Sequence, residues 1–381
     1  TEKVSIYDSV GRVLAKDIVS DIEMPRFNRA AMDGYAARFK DFQNVPVDLK
    51  VAGIIEAGQI FDKPIKSGEC VKIMTGAATP KALNSLVKIE DTKQVGDIVT
   101  INQAGKLMGN IAEQGEDISI GEVVIKKGIK ISASHISTIA TIGKSELEVF
   151  KKPSVSIVNT GGEIVEIGQS LKKNQIYNSS GPTLQVLLKK DNLKLDYVLH
   201  AKDNEHELKT AFSKGMNSDI LIITGGVSMG EYDLVPKMLS EMGIKKIFHK
   251  VKVKPGKPTF FGKMNKTLVF GMPGNPVSTF LAYHLYIQTV AKKMMGYNNF
   301  LPNFKEGFIA IDYQKKNSYR KNFTISTIEI VDGKTYLTPI TYHGSGDMHS
   351  LSNGDGFIIM NSDKINFTRN EKVRFFSWKN L

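Results

Sequence analysis

The segment ITGGVSMGEYD, residues 223–233, decides the fold. It follows the apolar run ILII, packs three glycines into its first eight residues and ends in Glu231 and Asp233. An apolar run that breaks into a nearly side-chain-free turn and then a helical pattern reads as a buried strand entering a helix. Glycine lets the turn take φ > 0 and brings backbone N–H groups close to a ligand. At a helix N-terminus such amides suit a phosphate or another oxyanion.

The same syntax recurs in NTGGEI (159–164) and GMPGNPVS (271–278). In an open parallel sheet, ligands bind outside the carboxyl ends of the strands. Gly161, Gly162, Thr224, Gly225, Gly226, Ser228, Gly274 and Asn275 are therefore candidates for one shared binding edge. None of the turns has the spacing of a P-loop or of a dinucleotide fingerprint, which argues against an ATPase or a dehydrogenase.

Strand-like runs SVSIVNT (154–160), LDYVLHA (195–201), DILIIT (219–224) and TLVFG (267–271) alternate with helical patterns at 179–192, 203–215 and 231–243. That alternation predicts a doubly wound parallel α/β domain. Before it, residues 1 to about 150 hold short β-branched runs and glycine turns, with one helical stretch at 131–143. After it, beyond the linker-like YNNFLPNFKEG, about 80 residues return to short strands, as in a small closed or sandwich-like β domain.

The chain has 381 residues and a net charge of +12, which favours anionic partners. A nucleic-acid role rests on charge alone, because no basic stripe is interleaved with aromatics. The single cysteine, Cys70, excludes an internal disulfide framework and fits a reducing cytosol. No basic-then-apolar leader opens the sequence, and VSTFLAYHLYIQTV (277–290) is too short and polar to span a bilayer. The expectation is a cytoplasmic protein without membrane contact.

Glu163, Glu231 and Asp233 would face the strand-end crevice, and Asp203 closes the neighbouring strand. Carboxylates beside a phosphate repel it unless a divalent cation intervenes, so Mg²⁺ is implied. The plainer reading has Asp203 and Asp233 capping helices. In KVKVKPGKPTFFGK (250–263), alternation would put Lys250, Lys252 and Lys254 on one strand face, with Lys257 presented by the turn. They form either a cationic clamp or a lysine-protected edge strand.

The set AAMDGYA (30–36), IMTGA (73–77), NTGGE (159–163), TGGVSMGEYD (224–233), KPGKP (254–258), GMPGNPVS (271–278) and HGSGDMHSL (343–351) resembles molybdopterin molybdenumtransferase, the family that includes the C-terminal E domain of gephyrin. The resemblance implies an elongated four-part homodimer. Its parts would be residues 1–22 plus 119–150 for dimerisation, an inserted mostly-β domain at 23–118, a molybdopterin-binding α/β domain at 151–298 and a β-barrel at 299–381. It also implies that adenylyl-molybdopterin and molybdate become molybdenum cofactor and AMP, with Mg²⁺ required. The molybdopterin adenylyltransferase and recipient molybdoenzymes would be transient partners.

By the same resemblance, Asp33, Thr75, Glu163, Asp203 and Asp233 are the functional polar residues, the last three at the metal. Lys254 and Lys257 form the clamp, Pro273 and Pro276 shape their turn, and Arg320 and Ser345 hold molybdate. Two arginines usual in the family are missing, at Ala112 and Ile325. A tungstate-preferring paralogue or a non-catalytic scaffold would also carry such changes. The adenylyltransferase itself is normally a single domain, so the flanking regions speak against it.

Overall fold

The structure, a computed structural model, describes residues 1–227, 234–316, 319–341 and 343–379. It divides into two compact units, Thr1–Val149 and Phe150–Leu381.

In the first unit, six strands form one sheet: β1 (Gly34–Ala37), β2 (Val47–Ile55), β3 (Glu69–Ile73), β4 (Ser85–Lys88), β5 (Thr92–Val95) and β6 (Ile98–Ile101), in the order β4-β1-β3-β2-β6-β5. Cys70 lies inside this sheet, and burial pushes its thiol up to about 12, so it is an inert core residue. The unit's helix, α1 (Ala133–Thr141), buries Ile139 against Leu14, Leu147 and Val149. The chain enters and leaves the sheet region where Met24 and Ile118 exchange backbone hydrogen bonds of 2.9 and 3.0 Å.

The second unit holds the α/β domain. Its strands β7 (Ser154–Thr160), β8 (Lys194–Ala201), β9 (Ile220–Thr224), β10 (Lys245–His249), β11 (Phe260–Met264) and β12 (Thr267–Met272) run in the order β8-β7-β9-β12-β11-β10. The first four in that order are parallel, as the sequence predicts; β11 and β10 add an antiparallel edge. Strand side chains alternate between faces with a period of two. Val155, Ile157, Ile220, Ile222 and Phe270 pack beneath α2 (Ser180–Lys190). Val158, Leu221, Ile223 and Val269 pack beneath α3 (Glu205–Gly215) and α4 (Leu234–Glu241).

The helices answer with matching stripes. Leu184, Leu187 and Leu188 on α2, and Leu208, Ala211 and Phe212 on α3, follow the i, i+3, i+4 spacing of one helical face. Fully burying a side chain such as Phe212 contributes about 2–3 kcal/mol, and Phe212→Ala would cost about 3–5 kcal/mol through the cavity it leaves.

The chain then continues as α5 (Pro276–Ala282), a π-helical stretch at Tyr283–Ile287 and α6 (Gln288–Met294). Beyond it, β13 (Lys305–Ile309), β14 (Lys321–Val331), β15 (Lys334–Pro339), β16 (Gly356–Met360) and β17 (Lys372–Ser377) run in the order β14-β15-β13-β17-β16. Pairing of β16 back to β14 closes them into a five-stranded barrel. Phe323, Ile325, Phe357 and Phe376 from the barrel join Phe280, Leu281 and Tyr283 in the same core as α2 and the sheet.

One strand expectation is corrected. Lys250 has φ of +73°, so the regular strand stops at His249 and Lys250, Lys252 and Lys254 do not share one alternating face. Only Val253–Lys254 is extended, paired in parallel with Lys321–Asn322 of the barrel.

Candidate functional site

Register decides where the glycine turns lie. Asn159 on β7 is level with Thr224 on β9, and Thr224 is level with Met272 on β12. All three turns therefore leave the sheet at one edge, where they surround a cavity of about 660 Å³. Gly161, Glu163, Asp203, Thr224, Gly225, Gly226, Gly274, Asn275 and Pro276 line it. Ser228 and Asp233 lie outside the described residues.

The edge is held rigidly from behind. Thr224 Oγ1 donates to Asn159 Oδ1 at 3.0 Å, and Thr160 Oγ1 donates to the Thr224 carbonyl at 3.2 Å. His200 Nε2 donates to the Gly161 carbonyl at 2.9 Å. Gly225 has φ of +91°, and a Cβ there would sit 2.6 Å from the Thr160 carbonyl oxygen. Only glycine fits that close approach without moving the strand end.

The helix-cap reading of Asp203 is corrected by its neighbour. Asn204 is the N-cap of α3, its Oδ1 accepting from the Glu207 N–H at 2.9 Å. Asp203 is thereby free of the cap and faces the cleft, where its Oδ2 accepts from Gly162 N–H at 3.3 Å. Among the described residues no three His, Cys, Asp or Glu side chains converge on a single point. Glu163 and Asp203 are the acids on this cavity, both exposed to it.

The GMPGNP turn joins the barrel to this edge. Pro276 occupies the first turn of α5, and the Pro273 carbonyl accepts from Thr279 Oγ1 at 2.6 Å. Asn275, the N-cap by position, turns its amide away from the helix and donates from Nδ2 to Ser345 Oγ at 2.7 Å. Ser345 in turn accepts at its carbonyl from Val277 N–H at 3.1 Å.

The cations gather elsewhere in the same unit. Lys257 Nζ lies 5.8 Å and the Arg320 guanidinium 5.6 Å from the centre of the Tyr319 ring. Arg320 Nη1 also donates to the Val253 carbonyl at 3.5 Å, one residue from Lys254. The Lys257 ammonium, with Arg320 beside it, holds the Tyr319 phenol below its ordinary range. Tyr319 was not singled out from sequence; its signal is only that it immediately precedes Arg320.

In the first unit, Asp33 and Thr75 form a pair. They sit at the ends of adjacent antiparallel strands, since Gly34 pairs with Ile73. Both the backbone N–H and the hydroxyl of Thr75 donate to Asp33 Oδ1, each at 2.7 Å. These bonds hold the Asp33 carboxyl below the usual carboxylate range, the backbone bond contributing most. Asp33 is thus an oriented, ionised carboxylate on an exposed surface rather than a plain Asp-Gly turn.

The two positions lacking an arginine differ in kind. Ile325 is fully buried in the core shared by barrel and α/β domain, so an arginine there would be a buried charge. Ala112 lies on a short ladder directly opposite Arg29. Cross-strand partners share a face, so a guanidinium stands one strand from the expected position.

The comparisons with known proteins agree with this architecture. Residues 1–143 match the family model described as MoeA N-terminal region (domain I and II), and residues 156–293 match a probable molybdopterin binding domain. A molybdopterin molybdenumtransferase from Staphylococcus aureus is 30% identical over 362 residues, 94% of this chain and 86% of that protein. One from Staphylococcus epidermidis is 29% identical over the same shares. The crystal structure of a molybdopterin biosynthesis protein from Pyrococcus horikosii superposes with a TM-score of 0.87 at 28% identity, covering 100% of this chain and 95% of that one. A likeness that spans both units and nearly the full chain, at this identity, places the chain in the molybdopterin molybdenumtransferase family.

Proposed function

We propose that this protein takes part in molybdenum cofactor biosynthesis as a transferase, using adenylyl-molybdopterin and molybdate to give molybdenum cofactor and AMP. The observation that carries this reading is the strand-end cleft, where three glycine turns and two carboxylates meet at one edge of the parallel sheet. Exposed amides of such turns bind phosphate oxygens. Asn275 and Ser345, bonded to each other, present an amide and a hydroxyl suited to molybdate oxygens.

Glu163 and Asp203 are hard oxygen donors on one cavity, a set that fits Mg²⁺ with several retained waters. Asp233 is the expected third ligand. When bound, Mg²⁺ supplies neutralisation of the phosphate charge. Lys254, Lys257 and Arg320 supply fixed positive charge for the anionic ends of the substrates. Asp33, oriented by Thr75, orients the water that attacks the adenylate, in a homodimer whose cleft meets the inserted domain of the other subunit. The four-part division at 1–22 plus 119–150, 23–118, 151–298 and 299–381 belongs to the same reading. A cytoplasmic setting and transient contact with the adenylyltransferase and recipient molybdoenzymes complete it.

The test is AMP release from adenylyl-molybdopterin with Mg²⁺, with molybdate, with tungstate and with neither. Molybdate-dependent release supports the reading. Tungstate-only release would reassign the oxyanion, and binding without release from either would leave a scaffold.

A further inference from the structure

Both carboxylates of the strand-end cleft lie against one turn, and one of them holds its amide. β8 and the loop after it bond to Gly161 and Gly162 three times. Gly161 N–H donates to the Ala201 carbonyl at 3.2 Å, and His200 Nε2 donates to the Gly161 carbonyl at 2.9 Å. Gly162 N–H donates to Asp203 Oδ2 at 3.3 Å. Glu163 folds back over the same turn, so that a Cβ on Gly161 would lie 2.8 Å from its Oε2.

The three bonds differ in how readily they are given up. The Ala201 and His200 bonds tie the turn to the neighbouring strand and fix where its amides point. The Asp203 bond lies beyond the usual N–H···O range and belongs to an exposed side chain. Among the described residues it is the only hydrogen bond that this carboxylate makes. The backbone on either side of Asp203 is anchored: Lys202 N–H donates to Glu207 Oε2 at 2.9 Å, and Asn204 N–H donates to the Lys202 carbonyl at 2.8 Å. The Asp203 side chain can therefore rotate away while the turn and the loop stay in place.

Gly162 N–H is the kind of strand-end amide that suits a phosphate oxygen. A carboxylate oxygen resembles that ligand, being an anionic acceptor of similar size. Two anions in contact repel, so a phosphate that takes this amide has to displace Asp203. Asp203 is also one of the two hard oxygen donors on the cavity, with Glu163. Whatever draws its carboxylate toward a cation weakens its hold on the amide.

We propose that the Asp203 carboxylate is a placeholder for a phosphate oxygen on Gly162 N–H, so that a divalent cation and a phosphate ester bind this cleft cooperatively. The identity of the ester rests on the transferase reading; the competition for the amide does not. Linkage makes such a coupling reciprocal, and couplings of this kind run from about 5-fold to about 150-fold.

Calorimetric titration of AMP into the full chain, first in EDTA and then in Mg²⁺, tests this. In EDTA, Asp203→Ala should bind AMP at least about fivefold more tightly than the parent, because the amide is vacated. Glu163→Ala removes an equal charge from the same turn but leaves the amide covered, so its gain should be clearly smaller. Both side chains are exposed, so neither variant threatens the fold. High salt screens the charge contribution to both gains, and only the Asp203→Ala gain should survive it. Mg²⁺ should tighten AMP on the parent by about fivefold or more and leave Asp203→Ala nearly unchanged. Equal affinity of parent and Asp203→Ala in EDTA, including no binding by either, overturns the proposal. Equal gains from the two variants at high salt also overturn it. The expected pattern without AMP release from the full substrate would remove the transferase reading and leave the placeholder. AMP release by the parent, with EDTA affinities equal across the variants, would do the reverse.

Discussion

His284 sits where the π-helical stretch meets the barrel, in a box of Phe280, Tyr283 and Phe376, with ring centroids 4.7, 5.4 and 5.0 Å away. It is 4% exposed and neither ring nitrogen has a hydrogen-bond partner. Burial is the main force on it and lowers its pKa from 6.5 to about 4. Gln288 beside it pulls the other way, since its amide oxygen can accept from a protonated ring, while its amide nitrogen donates to Asp191 at 2.9 and 3.0 Å. The folded protein therefore requires neutral imidazole, whereas the unfolded chain protonates it below about 6.5. Stability from this group is complete above pH 6.5 and is lost as pH falls toward 4.

The gap between 6.5 and about 4, at about 1.4 kcal/mol per unit, comes to about 3 kcal/mol in full and about 2.5 kcal/mol at pH 4.5. His284→Leu removes the titration at similar volume. At pH 7.5 the variant should lie within about 1 kcal/mol of the parent, because lost edge-to-face contacts offset the gain from deleting unpaired nitrogens. At pH 4.5 it should be the more stable by about 2 kcal/mol or more. Trp378, the sole tryptophan, packs 5.2 Å from Phe280 and 6.4 Å from Phe376, so its fluorescence reports this box during urea unfolding. Subtracting the two pH profiles cancels the other six histidines and the carboxylates. Parallel profiles between pH 7.5 and 4.5 would refute the reasoning, since the ring would then have to be charged or partnered in the fold.

Gly225→Ala forces a side chain to φ of +91° and into the Thr160 carbonyl; the expected cost is about 1–3 kcal/mol, with AMP release reduced at least tenfold. Thr75→Val removes one of the two bonds that depress Asp33, so the acid limb of the pH–rate profile should move to higher pH, with the neutral-pH rate less affected. Lys257→Ala should raise the apparent KM for the anionic substrate and flatten its salt dependence, read by titrating ionic strength in the AMP assay. Ile325→Arg should destabilise by at least about 3 kcal/mol in urea melts and fail to improve oxyanion use, because the side chain enters the core.

The α/β domain was legible because its three central strands are buried on both faces. Runs such as ILII at 220–223 stay apolar at every position, while α2 and α3 carry the three-and-four spacing. The antiparallel strand Lys245–His249 escaped because its exposed lysines look like surface loop. At the site, the glycine turns could be read as one edge, since parallel topology alone aligns strand ends. The partition between Asp203 and Asn204 could not, because both side chains can cap and only backbone geometry chooses. The Lys257–Tyr319 contact and the Asn275–Ser345 bond, the latter between residues 70 apart in the chain, depend on tertiary packing that no local pattern announces. The fate of Ile325 needed the tertiary packing: residues 322–326 of β14 are all buried, a closure on both faces that the mixed polar and apolar run NFTIS does not announce.

The aromatic core shared by the barrel and the outer face of α5 bears on modularity. Phe357 and Phe376 lie on the barrel and Phe280 on the helix, yet they pack as one cluster. A graft that swaps the barrel for another of equal strand number would inherit a helix shaped for different rings. A truncation before residue 299 would turn that face into a sticky surface prone to self-association. Recombination within this family can thus exchange the barrel only together with α5, which also carries the Pro276 end of the cleft. The packing of the barrel and the Pro276 end of the cleft are in this way inherited as one block.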